Sequence, residues 1–357
     1  MAAVETTMKL HTLLRTGRKH GASDIHVAVG LPPMFRIDGE IVPAKGDVVS
    51  AETARALALE GLNEQQQRRL ETEWQLCFST SFGERDRARI TIYYRNGCPE
   101  LSIRLSEPEI RSREALRLPP ILDDLVRRPH GLLLITGPTG VGKTTTFHYA
   151  LDLINRESRK KIVTIEDPIE YTHVSQRSLV IQQELLTDVH SFQDALVHVL
   201  RQDPDVIAIG EMRDRETMYT ALMAAETGHL VIATLHTPDT VQSVQRIVSA
   251  FPEGQQNEVR FMLANTLLAV IAQQLHLDAK GKRRVLCCEV LVGTPGVRHH
   301  IRENSMHKLY TEIQAGRRYG MITMDHALLE LYQKGEITYD TALTAARDPE
   351  TIRKRTA

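Results

Sequence analysis

The chain is 357 residues long, 42% hydrophobic and 25% charged, an ordinary soluble globular composition that at about 150 residues per domain predicts two domains or more. Its 44 Lys and Arg against 45 Asp and Glu leave a net charge of -1, without the basic excess of a general nucleic-acid binder. No run approaches the ~18 consecutive apolar residues of a bilayer span, and Met1–Arg15 carries no signal-peptide core. The expectation is a cytoplasmic protein that meets membranes only through partners.

In chain order, residues 6–20 predict a helix with Met8, Leu10, Leu13 and Leu14 on one stripe. Asp38-Gly39 between β-prone flanks predicts a hairpin over 34–42. Residues 53–59 and 64–72 have helical spacing, whereas 77–82, 87–94 and 101–105 predict strands. Together, residues 1–105 are expected to form a small α+β domain, and 106–118, polar and containing Pro108, a linker. From 119 to 295 the pattern changes. Short apolar strands at 132–135, 162–165, 206–209 and 230–235 alternate with segments of helical character, the signature of a mostly parallel sheet with helices on both faces. Residues 296–357 are expected to be helical, with breaks at Gly316, Gly320 and Gly335. The cysteines are Cys77, Cys98, Cys287 and Cys288. They form no CxxC pair, which weighs against a thiolate zinc site, and Cys287-Cys288 suits strand packing.

The chemistry begins at Gly137-Pro138-Thr139-Gly140-Val141-Gly142-Lys143-Thr144, which satisfies GxxxxGK[ST] between a predicted strand and a predicted helix. In that setting backbone N–H groups and the helix N-terminus cradle phosphates. Lys143 neutralises the β/γ oxygens, the Thr144 hydroxyl ligates Mg²⁺, and Thr145 completes the binding set. The implied ligand is a nucleoside triphosphate.

Two further strands end in acids. Val206–Ile209 is followed by Glu211, and Ile162–Ile165 by Glu166-Asp167. Ligands of open α/β sheets bind at that edge, so these carboxylates are candidates for holding metal and handling water. His229 and His236 bracket the strand at 230–235; contact with phosphate, or relaying its state to neighbouring elements, is the better-supported role, since further ligands for a metal cannot be placed.

These motifs resemble those of the secretion-type AAA-like ATPases of the GspE superfamily, most of all its PilT-type pilus retraction branch. The residues carrying the resemblance are the P-loop at 137–144, Thr164–Tyr171 as the Asp box, 200–214 as the Walker B segment and 224–237 as the His box. Gly21–His26 with Arg36–Gly39 matches the N-terminal domain. The resemblance spans essentially the whole chain. It implies a PAS-like N-terminal α+β domain, a RecA-like ATPase core and a helical C-terminal region, with ATP and Mg²⁺ bound between subunits of a homohexamer. By position, it implies Glu166 as the water-activating base, Glu211 as the Walker B acid acting through Mg²⁺, and His229 and His236 near the γ-phosphate. Arg89, Arg95 and Arg104 are candidates for fingers reaching across a subunit boundary, a role worth ~10³–10⁵ in rate.

The implied partners are an inner-membrane pilus platform protein and other pilus ATPases, with no nucleic acid and no direct membrane insertion. The protein would then be peripheral at the inner membrane. One departure stands out: Val297–Glu303 keeps the branch's Ile-Arg-Glu but has His299-His300 where it carries Asn-Leu. That suits a divergent or accessory retraction subunit. The competing readings are a secretion or pilus-assembly ATPase and, from a different class, a hexameric nucleic-acid translocase, which would require a basic pore.

Overall fold

A computed structural model describes residues 8–83, 86–106 and 109–356. It separates into two compact units. One contains the described residues up to Glu109 together with Asp167–His173; the other contains Ile110–Glu166 and the described residues from Val174 onward. Residues 6 and 7 of the expected first helix, and 107 and 108 of the expected linker, lie outside the described residues.

The first unit is built on strands β1 (Asp24–Val27), β2 (Met34–Ile37), β3 (Glu40–Pro43), β4 (Gln75–Ser81), β5 (Arg87–Arg95) and β6 (Cys98–Leu105). Among the described residues these form one antiparallel sheet in the order β3-β2-β1-β6-β5-β4. Asp38 and Gly39 take φ of 51° and 90°, the left-handed pair that a two-residue hairpin needs, so the predicted turn is present. Helices α1 (Leu10–Lys19), α2 (Ala51–Leu59) and α3 (Glu64–Glu73) supply Leu13, Leu14, Leu57 and Leu70 to a core shared with Ile25, Ile90 and Ile103 of the sheet. Helix α3 starts on a capping box: Asn63 and Gln66 each accept from the other's backbone N–H.

The second unit carries β7 (Gly131–Thr136), β8 (Lys161–Glu166), β9 (Leu179–Glu184), β10 (Val206–Ile209), β11 (Leu230–Leu235), β12 (Leu267–Leu277) and β13 (Arg284–Val292). Their order is β13-β12-β7-β11-β10-β8-β9, parallel throughout except for β13, which runs antiparallel at one edge. Every residue of β7, β10 and β11 is buried, which is why those strands read as unbroken apolar runs.

Short helices α4 (Arg113–Leu116) and α5 (Ile121–Val126) precede β7. The P-loop helix α6 (Lys143–Glu157) follows it, then α7 (Phe192–Val199), α8 (Arg215–Glu226), α9 (Thr240–Ser249) and α10 (Glu253–Thr266). The N-caps of α8 and α9 are Asp214 and Asp239, accepting from Thr217 N and Gln242 N at 2.7 Å. Beyond β13 the chain is helical as predicted, with α11 (Pro295–Arg302), α12 (Leu309–Ala315), α13 (Met324–Gln333), α14 (Tyr339–Ala345) and α15 (Pro349–Thr356).

Three differences from the sequence reading concern the second unit. The stretch between β8 and β10, expected to be helical, holds β9 as well as α7. Strand β12 was not foreseen, because α10 passes into it at Thr266-Leu267 with no Gly or Pro between them. The segment just after Glu166 leaves the parallel-sheet unit altogether for the first one and then returns. Among the described residues, no helix is long and apolar enough to cross a membrane.

Candidate active site

The parallel sheet brings four strand ends side by side. β7 ends at Thr136, directly opposite Leu235 of β11, so the P-loop and His236 leave the sheet together. β10 lies next, with Glu211 two residues past its end, and β8 next again, ending in Glu166. A ladder extends beyond the strands: Gly210 N donates to Ile165 O at 2.8 Å and Met212 N to Thr234 O at 3.1 Å, which fixes the turn carrying Glu211.

The loop itself is held against β12. Gly137 has φ of 139°, and a Cβ there would stand 2.6 Å from the Gln273 carbonyl oxygen, so only glycine lets the loop leave β7 at this point. Gln273 Nε2 donates to Thr146 Oγ1 at 2.6 Å, tying the first turn of α6 to the same strand. Lys143 Nζ donates to the carbonyls of Gly137 at 2.7 Å and Pro138 at 3.0 Å, and stands 3.5 Å from His236 Nδ1. Burial pushes the Lys143 pKa down, opposed by the nearby charge of Glu211.

His236 links the lysine to the acid. Its Nδ1 faces Lys143 and Thr139 Oγ1, the latter at 3.4 Å, and its Nε2 lies 3.1 Å from Glu211 Oε1. The ring thus bridges the lysine on its Nδ1 side and the carboxylate on its Nε2 side. Arg213 holds the other carboxylate oxygen at 2.8 Å. Burial works against the Glu211 charge, but Arg213 and His236 outweigh it and keep the carboxyl below its ordinary pKa.

Glu166 is fully buried. Its Oε1 accepts from Thr164 Oγ1 at 2.6 Å and Gln182 Nε2 at 3.0 Å, and its Oε2 lies 3.3 Å from His148 Nε2. Desolvation again opposes ionisation most strongly; the His148 charge and the hydrogen bonds overcome it, so the pKa ends below the ordinary value. Gln182 and His148 carry no sequence motif, and only the pairing of β8 with β9 and the packing of α6 bring them here.

His229 is not brought to this edge. It precedes β11, with Nδ1 2.9 Å from Ala224 O, and the six-residue strand places it about 20 Å from the P-loop end at ~3.3 Å per residue. Within one chain, then, the two histidines of the box sit at opposite edges of the sheet.

The three arginine candidates lie in the first unit. Arg89 and Arg104 are cross-strand partners and share a face; Arg104 pairs with Asp24 at 3.0 Å, and Arg89 lies 3.7 Å from Glu170. Arg95 is engaged elsewhere, 2.5 Å from Glu100 and 3.3 Å from the Val29 carbonyl oxygen.

Beside the P-loop, a cavity of about 480 Å³ opens against Gly142, Thr145 and Thr146, walled by Leu118, Leu275 and Leu286 and fringed by Arg111 and Arg284. Its size is that of a small-molecule site. The sequence offered no sign of it, since its walls come from three distant segments.

Residues 5–356 match the family described as Type II/IV secretion system protein. The chain belongs to that family. Within it, the chain is 38% identical over 343 residues to the type IV pilus retraction ATPase PilT of Pseudomonas aeruginosa, covering 96% of this chain and 99% of PilT. It is also 38% identical over 346 residues to the type IV pilus ATPase PilU of the same organism, covering 97% and 91%. A crystal structure of the pilus retraction motor PilT with bound ADP superposes with a TM-score of 0.89 at 40% identity, over 97% of this chain and 99% of that one. The α/β architecture with two sheets is thus the family's own.

Proposed function

We propose that this protein is an ATP-hydrolysing motor that powers type IV pilus retraction. The observation that carries the reading is the continuous link Lys143–His236–Glu211 beside Glu166 at one sheet edge, in a chain matching PilT along nearly its whole length. The P-loop residues 137–145 hold the phosphates, and the nucleoside lies in the adjoining cavity. Thr144 and Glu211 offer a hydroxyl and a carboxylate, hard oxygen donors of the kind Mg²⁺ takes alongside nucleotide phosphates. Bound there, the metal would neutralise charge on the transferring phosphoryl group.

Glu166, ionised and oriented, takes the proton from attacking water; Glu211 orders the metal side, and His236 couples it to the lysine. Residues 1–105 act as a PAS-like domain, 106–118 as a linker, 119–295 as the RecA-like core and 296–357 as a helical extension. Subunits assemble as a homohexamer peripheral to the inner membrane, with Arg89 and Arg104 the better placed of the three arginines to reach a neighbour's phosphates. A platform protein of the pilus base receives the work.

Phosphate release by the purified chain tests the chemistry. Glu166→Gln and Glu211→Gln should each lower turnover by about 10²–10⁴ while nucleotide binding survives. Unchanged turnover in both would end the assignment. Deleting the protein from its host should leave excess surface pili and no twitching; bald cells would overturn the retraction reading.

A further inference from the structure

His148 is completely buried, and the reaction proposed above gives it no step of its own. It lies on α6 four residues beyond Thr144, about one helical turn from the phosphate cradle. An imidazole away from water costs free energy unless its nitrogens meet partners. Here the Nε2 faces a carboxylate, 3.3 Å from Glu166 Oε2, at ion-pair distance though not aligned as a hydrogen bond. The opposite oxygen of that carboxylate is occupied by the Thr164 hydroxyl and the Gln182 amide. Three elements, α6, β8 and β9, therefore converge on one acid, and of these three partners only His148 can change its charge.

We propose that His148 is a positioning residue for Glu166, fixing the Oε2 edge of the carboxylate and tying it to the helix that carries Lys143 and Thr144. The proposal rests on the reading of Glu166 as the water-activating base. Its physical content is rigidity. The phosphates are gripped at the start of α6, and the base is gripped one turn later on the same helix. Their separation is then set by a single stiff element rather than by two independent strands. Displacements near 1 Å between reacting groups are enough to lose large factors in rate.

The test uses the full-length chain as wild type, His148→Ala, His148→Gln, Glu166→Gln and the Glu166→Gln/His148→Ala double variant. Phosphate release at saturating ATP is measured across pH, with ADP-analogue affinity measured alongside. His148→Ala should lose about tenfold to a hundredfold in kcat, the range for groups acting through another residue, with KM and ADP affinity within about twofold. The acid limb of its kcat profile should move to higher pH, because the carboxyl loses the neighbour that lowers its pKa. His148→Gln, whose amide nitrogen reaches the position of Nε2, should recover most of the rate but keep the shifted limb, since it donates without charge.

On a Glu166→Gln background, His148→Ala should cost nothing further. A wild-type rate and limb in His148→Ala would overturn the proposal, as would a loss that persists undiminished on the Glu166→Gln background. If His148→Ala fails to fold, the limb position of His148→Gln decides. Wild-type turnover in Glu166→Gln alone would instead overturn the base assignment itself.

Discussion

The P-loop's attachment to β12 makes Gly137→Ala a quantitative test of the site. The added Cβ would stand 2.6 Å from Gln273 O and 2.8 Å from Val141 Cγ2, against about 3.3 Å for an ordinary carbon–oxygen contact. Gln273 is fully buried in a paired strand and cannot retreat, so the loop must move. The disfavoured backbone at φ 139° costs about 1–3 kcal/mol and the overpacking a similar amount. Even the lower sum, about 2 kcal/mol, weakens nucleotide binding about thirtyfold if it falls on the loop. Gly228→Ala separates the two contributions: φ there is 103° with nothing within 4 Å, so it carries only a backbone cost, beside His229 at the sheet edge opposite the phosphates. Titration with a fluorescent ADP analogue reads the affinity directly. At a concentration near 100 times the wild-type Kd, nucleotide stabilises the wild type by about 2.7 kcal/mol. A thirtyfold weaker variant would gain under about 1 kcal/mol. Gly137→Ala binding within about threefold of wild type would refute the reasoning, because β12 would then have absorbed the clash.

Other outcomes follow from the same geometry. His236→Ala should cut turnover about tenfold or more by uncoupling Glu211 from Lys143, whereas His229→Ala should leave ADP-analogue affinity within about twofold; parallel losses would contradict their separation. The Glu166 pKa is lower in the folded chain than in the unfolded one, so its contribution to stability is fully present above the unfolded value and lost as pH falls through the folded one. Thermal melts should accordingly be insensitive to this group near neutrality and fall on the acid side, and Glu166→Gln should remove part of that acid-side fall. Burial pushes the Cys288 thiol up to about 12 and Cys287 well above its usual value. A colorimetric thiol reagent at neutral pH should therefore label only Cys77 and Cys98 in the native protein, both being partly exposed.

Much of this was legible where one local signal sufficed. Asp38-Gly39 gave its hairpin, the strands at 206–209 and 230–235 appear with the predicted limits, and the P-loop lies between β7 and α6. Legibility failed where the deciding contact lies across the sheet. The first half of β12, Leu267–Ala272, is as apolar as β7, yet it follows α10 without punctuation, so periodicity could not separate the two elements. Strand β9 alternates too little to announce itself, with Gln182, Gln183 and Glu184 closing it, yet Gln182 is what fixes one oxygen of Glu166. A missed signal was Asn96-Gly97, whose φ values of 51° and 74° make the β5–β6 turn and would have extended both strands to it.

The motifs also divide in ways their sequences conceal. A box of consecutive residues is a unit of sequence, whereas a site belongs to a sheet edge. His229 and His236 are seven positions apart with a six-residue strand between them, so one faces the phosphate end and the other the opposite end. Glu166 and Asp167 are neighbours in the chain, yet they fall in different compact units. Glu166 is fixed by α6, β8 and β9, while the segment after it is held in the first unit, where Arg87 Nε donates to Ile169 O at 3.1 Å. Substitutions on the two sides of that peptide bond should therefore separate. Those at Glu166 and its three partners act on the ionised carboxylate and on kcat, whereas those at Arg87 act on the anchorage of the following turn.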